Sequence, residues 1–237
     1  MERDELRILL VDDEPLLVEI FSLWLERQAD YKVSTAKDGQ EALELLKTQN
    51  FDLLVTDVRM PRVDGVSLVR HLAQIERPLP SIIFVSGFGD VDEREMYALG
   101  VGAFLSKPVL RDDFLDTVKT ALARRAELWH QPMDPGPNQS IGIQAIDFRE
   151  VPEQDYVALG RGGFCAPYPF SVYLGKVSFS CYFSATDLTI LGEGYVRWKS
   201  LAEGKVGIEF AYLEESCRAK IVEMILQANH LAFIPAH

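Results

Sequence analysis

Five side chains that could do chemistry each stand at the end of a short apolar run within the first 107 residues of this 237-residue chain. Asp12 and Asp13 follow the run ILLV, Asp57 follows LLVT, Ser86 follows IIFV, and Lys107 follows AFLS. Runs this short and apolar are typical of strands that are buried on both faces of a parallel sheet. Ligands of open α/β sheets bind at the carboxyl ends of the strands, so we expect these five groups to converge at one edge.

The three carboxylates in this set indicate a cation site. Carboxylates that share one site repel each other and resist ionisation unless a positive charge joins them. Mg²⁺ is the natural cation for hard oxygen ligands that also meet a phosphate. The sequence therefore predicts a magnesium site that includes Asp12, Asp13 and Asp57.

The elements that must position these groups alternate between strand and helix from residue 6 to about residue 127. Predicted strands lie near 6–11, 31–36, 52–56, 81–85 and 102–105, and predicted helices near 14–28, 39–48, 65–75, 91–98 and 111–129. Five such units predict a doubly wound five-stranded parallel sheet with helices on both faces. Helical spacing predicts that one face of the last helix packs inward, through Phe114, Leu115, Val118, Leu122 and Ala126.

The pattern changes after a segment rich in proline and glycine, which we predict to be a linker over residues 130–139. Predicted strands then lie near 141–149, 155–160, 163–166, 176–184, 187–199 and 204–212, followed by a helix near 214–229. The apolar face of this helix is predicted to contain Ala219, Val222, Ile225 and Leu226. The expected domains are therefore 1–129 and 140–237, the second a small six-stranded β-barrel with a C-terminal helix.

Composition narrows the functional classes. A net charge of −12 argues against a general nucleic-acid or anionic-membrane binder, because Lys and Arg dominate phosphate binding. The three widely spaced cysteines indicate buried thiols in a reducing compartment. No apolar run is long enough to cross a bilayer, and the start MERDE is not a signal peptide. We expect a cytoplasmic protein without membrane insertion.

The first half resembles the receiver domain of two-component response regulators, over roughly residues 6–127, which implies a flavodoxin-like fold. The residues that carry the resemblance form five motifs: VDDEP at 11–15, VTDVRMP at 55–61, DG at 64–65, VSG at 85–87 and SKP at 106–108. Their order, their spacing and their placement at strand ends all agree with that family.

The resemblance implies a role for each residue. Asp57 is expected to be the nucleophile that accepts a phosphoryl group as an acyl phosphate. Mg²⁺ is expected to be held by the carboxylates of Asp12, Asp13 and Asp57 and by the backbone carbonyl of Arg59.

Three further residues complete the expected phosphorylation machinery. Lys107 is expected to pair with a phosphoryl oxygen, and Ser86 to donate a hydroxyl hydrogen bond to the phosphoryl group. Phe104 occupies the position of the aromatic switch on the fifth strand. Because Phe104 has no hydroxyl, its switching would be steric, and packing in the core is the simpler alternative.

The second half resembles a PilZ domain, a six-stranded barrel that often binds cyclic di-GMP. The likeness rests on GGF at 162–164, GYVRW at 194–198 and GIEF at 207–210. The ligand-binding pattern departs from that family, with Ala158 in place of an acid and Gly160 in place of a serine. Paired arginines are missing, which leaves Arg149 and Arg161 as weak candidates for cyclic di-GMP contacts.

These observations predict a phosphorylation-gated response regulator, not an enzyme beyond its own phosphotransfer and dephosphorylation. Its expected partners are a sensor histidine kinase and a downstream protein that the PilZ-like domain binds without cyclic di-GMP, and the receiver could also form a homodimer. Two alternatives remain open. The PilZ-like domain could bind cyclic di-GMP and integrate it with phosphorylation. The chain could also be a transcription regulator, although no helix-turn-helix is visible and basic clusters are absent after Arg124 and Arg125.

Overall fold

The computed structural model describes residues 5–28, 30–72, 74, 79–87, 92–123, 129, 132–133, 136–149, 155–168, 172–227 and 232–235. The chain divides into two compact units. The first contains Met1–Asp92 and Val101–Ala123, and the second contains Glu93–Gly100 and Arg124–His237. Among the described residues, no helix combines the length and the apolar character needed to cross a membrane.

The first unit is built around a parallel sheet. Its elements are β1 (Leu6–Val11), α1 (Pro15–Glu26), β2 (Tyr31–Ala36), α2 (Gly39–Thr48), β3 (Leu53–Asp57), α3 (Gly65–Leu72), β4 (Ser81–Ser86), β5 (Ala103–Ser106) and α5 (Arg111–Leu122). All strand pairs in this sheet are parallel, in the order β2-β1-β3-β4-β5. This is the order of flavodoxin-like folds, and it confirms the predicted five-stranded parallel sheet.

Burial explains why these short runs form strands. Every side chain of β3 is buried, as are the last four of β1, so both sheet faces are covered. On α5, Phe114 and Val118 are fully buried, and the Phe114 ring stacks on Phe21 at 4.6 Å between centroids. Helix α5 ends at Leu122 rather than at residue 129, and Ala126 lies outside the described residues. The inward face that was predicted for this helix is confirmed over its described length.

The second unit begins with α4 (Glu93–Leu99), which lies between β4 and β5 along the chain. Its other elements are β6 (Ser140–Ala145), β7 (Asp147–Arg149), β8 (Tyr156–Leu159), β9 (Gly163–Pro167), β10 (Gly175–Phe183), β11 (Leu188–Ser200), β12 (Lys205–Leu213) and α6 (Glu215–Gln227). The strands form one sheet in the order β6-β10-β11-β12-β9-β8-β7. Two pairs, β6 with β10 and β7 with β8, are parallel, so the sheet is mixed.

The described sheet has seven strands rather than the six predicted, because the strand expected over 141–149 is broken at Ile146. Before this residue the chain pairs with β10, and after it the chain pairs with β8. The amide of Ile146 donates instead to the carbonyl of Asp155, 2.6 Å away. Since one residue separates the two edge strands, the sheet curls and its edges approach each other at Ile146. The observed architecture is thus a curled mixed sheet rather than the six-stranded barrel that was predicted.

Trp129 contributes to the core of the second unit. The sequence predicts Trp129 at the end of a long α5, but it has a φ of 63° and its side chain is only 7% exposed. Its ring meets Phe210 edge-to-face at 5.1 Å, and its carbonyl accepts a hydrogen bond from the amide of Leu213. The prediction that the helix continues to residue 129 is therefore wrong, because Trp129 is instead buried against the sheet of the second unit.

The inward face of α6 also differs from the prediction. Cys217, Ile221 and Ile225, spaced four residues apart, are buried against the sheet. Ala219 is exposed and Leu226 is 66% exposed, whereas Val222 is partly buried. A repeat of four residues defines a narrow helical stripe, and this stripe places Leu226 on the solvent side.

Neighbouring residues of α6 provide a matched test of this orientation. Ile225 is 2% exposed, so Ile225→Ala should lower the free energy of unfolding by about 2–5 kcal/mol through lost burial and a new cavity. Leu226→Ala should change it by less than about 0.5 kcal/mol. Urea unfolding followed by tryptophan fluorescence measures both, since Trp129 and Trp198 lie in the second unit. Equal losses in the two variants would contradict the observed orientation of α6.

Candidate functional site

The carboxylates predicted to converge do so at the ends of β1 and β3. Asp12 and Asp57 are buried, with 5% and 7% of their surfaces exposed, and Asp13 is exposed beside them. One oxygen from each of the three carboxylates lies within 4.8 Å of the other two. The parallel order of the sheet brings these ends together, because β1 is hydrogen-bonded to β3 in register.

Lys107 supplies the positive charge at the centre of this cluster. Its Nζ lies 3.1 Å from Asp12 Oδ2, 3.2 Å from Asp57 Oδ2 and 3.1 Å from Glu14 Oε1. An ammonium group has three hydrogens, so each can point to a different carboxylate. Lys107 directly follows β5. Because β5 runs parallel to β4 and the other strands, the lysine lies at the same edge of the sheet as the carboxyl ends of β1 and β3.

The electrostatics of the cluster follow from burial and charge. Burial raises the pKa of the Asp12 carboxyl, and a hydrogen bond from the Glu14 amide together with Lys107 offsets only part of this shift. Burial alone would lower the pKa of Lys107. Its hydrogen bonds to Asp12 and Glu14 and the charges of Asp12 and Asp57 outweigh this effect, so the pKa of Lys107 is raised. The lysine is therefore held in its charged form.

Glu14 is a site residue that the sequence reasoning missed. Its carboxylate pairs with Lys107, and its amide donates to Asp12 Oδ1 at 2.8 Å. The sequence placed Glu14 directly after the aspartate pair, which is the signal that could have identified it. The geometry shows that the turn after β1 contributes three acidic side chains to the site.

Gly65 fixes the backbone at Asp57. A Cβ at this position would lie 2.1 Å from the carbonyl oxygen of Asp57, far inside van der Waals contact. The amide of Gly65 donates to the carbonyl of Val58 at 2.9 Å, so the start of α3 packs directly against the end of β3. The glycine at position 65 therefore permits this close approach, a role that the sequence motif alone does not reveal.

The other predicted site residues are Ser86, Phe104 and Arg59, and each has its own set of neighbours or exposure. The Ser86 hydroxyl donates to the carbonyl of Gly87 at 2.9 Å. Phe104 is half-buried, and its ring meets Phe84 edge-to-face at 6.3 Å between centroids. The side chain of Arg59 is exposed two residues after Asp57.

The two arginines considered for cyclic di-GMP both contact protein groups in the second unit. The guanidinium of Arg149 lies over the ring of Tyr156, 3.7 Å from its centroid. Arg161 Nη2 donates to the carbonyl of Gly100 at 2.6 Å. Arg149 therefore packs on an aromatic ring, and Arg161 donates a hydrogen bond to the backbone.

The carboxylate cluster fits a magnesium ion. Oxygen atoms that share one octahedral Mg²⁺ lie at most about 4.2 Å apart, so the observed spread needs only a small side-chain movement. A second positive charge would also favour the ionised form of the buried Asp12 carboxyl, whose pKa burial raises. Asp12, Asp13 and Asp57 are the side chains that would hold the ion.

We predict that Mg²⁺ stabilises the first unit by binding this cluster. A ligand at a hundred times its dissociation constant adds about 2.7 kcal/mol to the free energy of unfolding. Asp13→Asn should remove much of the rise in melting temperature that millimolar Mg²⁺ causes. Asp112→Asn is the matched control, since Asp112 is exposed on α5. Calorimetric melting with and without Mg²⁺ tests this, and an equal rise in wild type and Asp13→Asn would contradict the site.

Comparison with known proteins identifies the fold that carries this site. The family model of the response regulator receiver domain matches residues 8–119. The response regulator Rre1 of Synechocystis is 33% identical over 156 residues, which cover 64% of this chain and 65% of Rre1. The alkaline phosphatase synthesis transcriptional regulatory protein PhoP of Bacillus subtilis is 34% identical over 122 residues, which cover 52% of this chain and 50% of PhoP.

Among solved structures, a response regulator receiver protein from Pseudomonas putida is 34% identical, with a TM-score of 0.45, and the match covers 50% of this chain and 98% of that one. The chain spans between 30% and 65% of the length of the curated relatives it matches. Receiver domains bind Mg²⁺ at an acidic cluster, and the present chain has such a cluster with Lys107 beside it. Residues 8–119 therefore form a response regulator receiver domain.

Proposed function

We propose that Asp57 accepts a phosphoryl group and that this modification gates the activity of the second unit. The observation that carries the proposal is the contact of Lys107 Nζ with the carboxylates of both Asp12 and Asp57 at the strand ends. A receiver domain implies a sensor histidine kinase as the general kind of partner. The kinase would supply the phosphoryl group from a phosphohistidine.

The transfer follows from the chemistry of a carboxylate nucleophile. An oxygen of Asp57 attacks phosphorus, the bond from phosphorus to the imidazole nitrogen breaks, and the histidine leaves with the electron pair of that bond. Bound Mg²⁺ would neutralise the charge on the phosphoryl oxygens. Water later hydrolyses the acyl phosphate to inorganic phosphate and returns the Asp57 carboxylate. Receivers typically act in signalling in this way rather than as enzymes on other substrates.

Lys107, Ser86 and Phe104 have distinct roles in this proposal. Lys107 would exchange its contact with the Asp57 carboxylate for one with a phosphoryl oxygen. The neighbouring carboxylates raise the pKa of Lys107, so the ammonium group stays charged for this contact. Ser86 must turn its hydroxyl from the Gly87 carbonyl to the phosphoryl group. Phe104 would follow sterically, through its half-buried ring that meets Phe84 edge-to-face. The Arg59 carbonyl completes the proposed metal ligands.

We propose further that the second unit is a divergent PilZ-like domain that acts by binding a protein. Its curled sheet, in which edge strands β6 and β7 are one residue apart, supports a barrel-like domain. Phe164, Phe179 and Phe183 fill its core. In contrast, the adjacent side chains Tyr173 and Leu174 are largely exposed, and Tyr182 is partly so, which supplies apolar surface for a partner.

Two alternatives remain, and no specific structural observation favours either. In the first, the second unit binds cyclic di-GMP through Arg149 and Arg161, both of which already contact protein groups. In the second, the chain regulates transcription, as the name of PhoP states for that protein, of which the chain covers 50%. A homodimer through the receiver is compatible with all three functions.

Phosphorylation can be tested directly on the full chain. Incubation with acetyl phosphate and Mg²⁺ should give one retarded band in Phos-tag electrophoresis. Asp57→Ala should abolish the band because the nucleophile is gone. Lys107→Ala should reduce its intensity, whereas Lys119→Ala on the exposed side of α5 should leave it unchanged. An equal shift in wild type and Asp57→Ala would refute the assignment.

Calorimetric titration separates the proposed output from the cyclic di-GMP alternative. We predict no binding in the micromolar range, because too few cations are available for the two phosphates of this ligand. Arg149→Ala and Arg161→Ala should leave this result unchanged. Micromolar binding that both substitutions weaken would replace the proposed function with the alternative in which phosphorylation and cyclic di-GMP are integrated.

A further inference from the structure

Helix α4 is the part of the receiver sequence that packs within the second unit. It lies inside the segment that the receiver family model matches, between β4 and β5, yet it groups with residues 124–237. Met96 and Tyr97 of α4 are both buried. A seven-residue helix is too short to be stable alone, so α4 depends on what it packs against.

The first contact of α4 involves Arg94. Its two terminal nitrogens pair with the two carboxylate oxygens of Glu203, at 2.6 and 3.2 Å. The guanidinium also lies over the ring of Trp198, 4.5 Å from its centroid. A carboxylate in the plane of a guanidinium and an aromatic ring on its face fix the position of the group, and the carboxylate also balances its charge. The side of α4 that carries Arg94 is thus attached to β11 and to the turn that follows it.

The carboxyl end of α4 is capped by residues distant in sequence. The carbonyl of Tyr97 accepts hydrogen bonds from the amides of Phe233 and Ile234, at 2.8 and 3.3 Å, in addition to one from the nearby Gly100 amide at 3.1 Å. The carbonyl of Gly100 accepts one from Arg161 Nη2 at 2.6 Å. The last carbonyls of a helix lack partners within it and carry partial negative charge, so donors and a cation at this end stabilise α4.

Residues 232–235, which we call the strap, lie between α4 and the turn that joins β8 to β9. The amide of Arg161 donates to the carbonyl of Ala232, and that of Gly162 to the carbonyl of Phe233. The Phe233 ring stacks on Tyr97, with centroids 6.1 Å apart. A Cβ on residue 162 would lie 2.1 Å from the Phe233 ring, so only glycine at this position lets the ring occupy its place.

We propose that the strap holds α4 in the second unit and must leave Tyr97 before α4 rearranges when Asp57 is phosphorylated. The coupling part of this proposal rests on the proposed function of Asp57. Its physical basis is chain connectivity, since α4 is joined to β4, which ends at Ser86, and to β5, which contains Phe104. A strap that favours the unphosphorylated arrangement lowers the apparent affinity for a phosphoryl group, and phosphorylation must loosen the strap by the same factor.

Hydrogen exchange of the full chain tests the holding role without any phosphoryl mimic. Gly162→Ala displaces the Phe233 ring, and Glu203→Gln removes the charge that pairs with Arg94 without disturbing the strap itself. Both substitutions should accelerate amide exchange in residues 93–100 by about fivefold or more, the lower range of typical coupling. Leu201→Ala is the control, because Leu201 is exposed in the same turn as Glu203. Unchanged exchange of α4 in Gly162→Ala would overturn the holding role of the strap, whatever Glu203→Gln does.

Titration with beryllofluoride and Mg²⁺, followed by ¹⁹F NMR, tests the coupling. Both variants should bind this phosphoryl mimic about fivefold or more tightly than wild type, and beryllofluoride should accelerate amide exchange of residues 232–234 in wild type. Faster exchange of α4 with unchanged beryllofluoride affinity would overturn the coupling. If wild type does not bind beryllofluoride at all, the proposed function of Asp57 fails, while the exchange of α4 still decides the holding role.

Discussion

The first unit depends on one electrostatic constraint: several carboxylates must share a small and partly buried space. Lys107 satisfies this constraint with one ammonium group that contacts Asp12, Glu14 and Asp57. Removing the lysine would leave the carboxylates with uncompensated repulsion. Three aspartates beside one lysine have a formal net charge of −2, which favours a divalent cation. The sheet order and the close approach of Gly65 to Asp57 hold these groups in place.

In the proposed function, the second unit connects this chemistry to an output through the elements that it contains. It contains α4, a helix that the sequence places between two strands of the first unit. The ends and sides of that helix meet Trp198, Glu203 and the strap, all far from it in sequence. Short helices with such external support are suitable for switching, because few contacts need to change for the helix to move.

Much of the first unit could be predicted from sequence, because parallel strands force their carboxyl ends to one edge. That rule alone brought Asp12, Asp57 and Lys107 together. The contacts of Glu14 and Gly65 could not be predicted this way, since they depend on turn geometry rather than on strand position. In the second unit, the spacing of apolar residues predicted α6. It also predicted a buried Leu226, which is in fact exposed, because apolar residues lie on two adjacent faces of this helix. The alternation of apolar residues shifts by one position where Ala145 and Ile146 are adjacent, and this shift is the sequence signal of the break between β6 and β7.

In the proposed mechanism, the Asp57 carboxylate beside Lys107 becomes an acyl phosphate. Borohydride reduces an acyl phosphate to an alcohol but leaves a free carboxylate intact, so reduction after treatment with acetyl phosphate marks the acceptor residue. Peptide mass mapping of the reduced chain should find homoserine at residue 57, dependent on both phosphodonor and Mg²⁺. Reduction at Asp12, at Asp13 or at no aspartate of a demonstrably phosphorylated chain would contradict this claim.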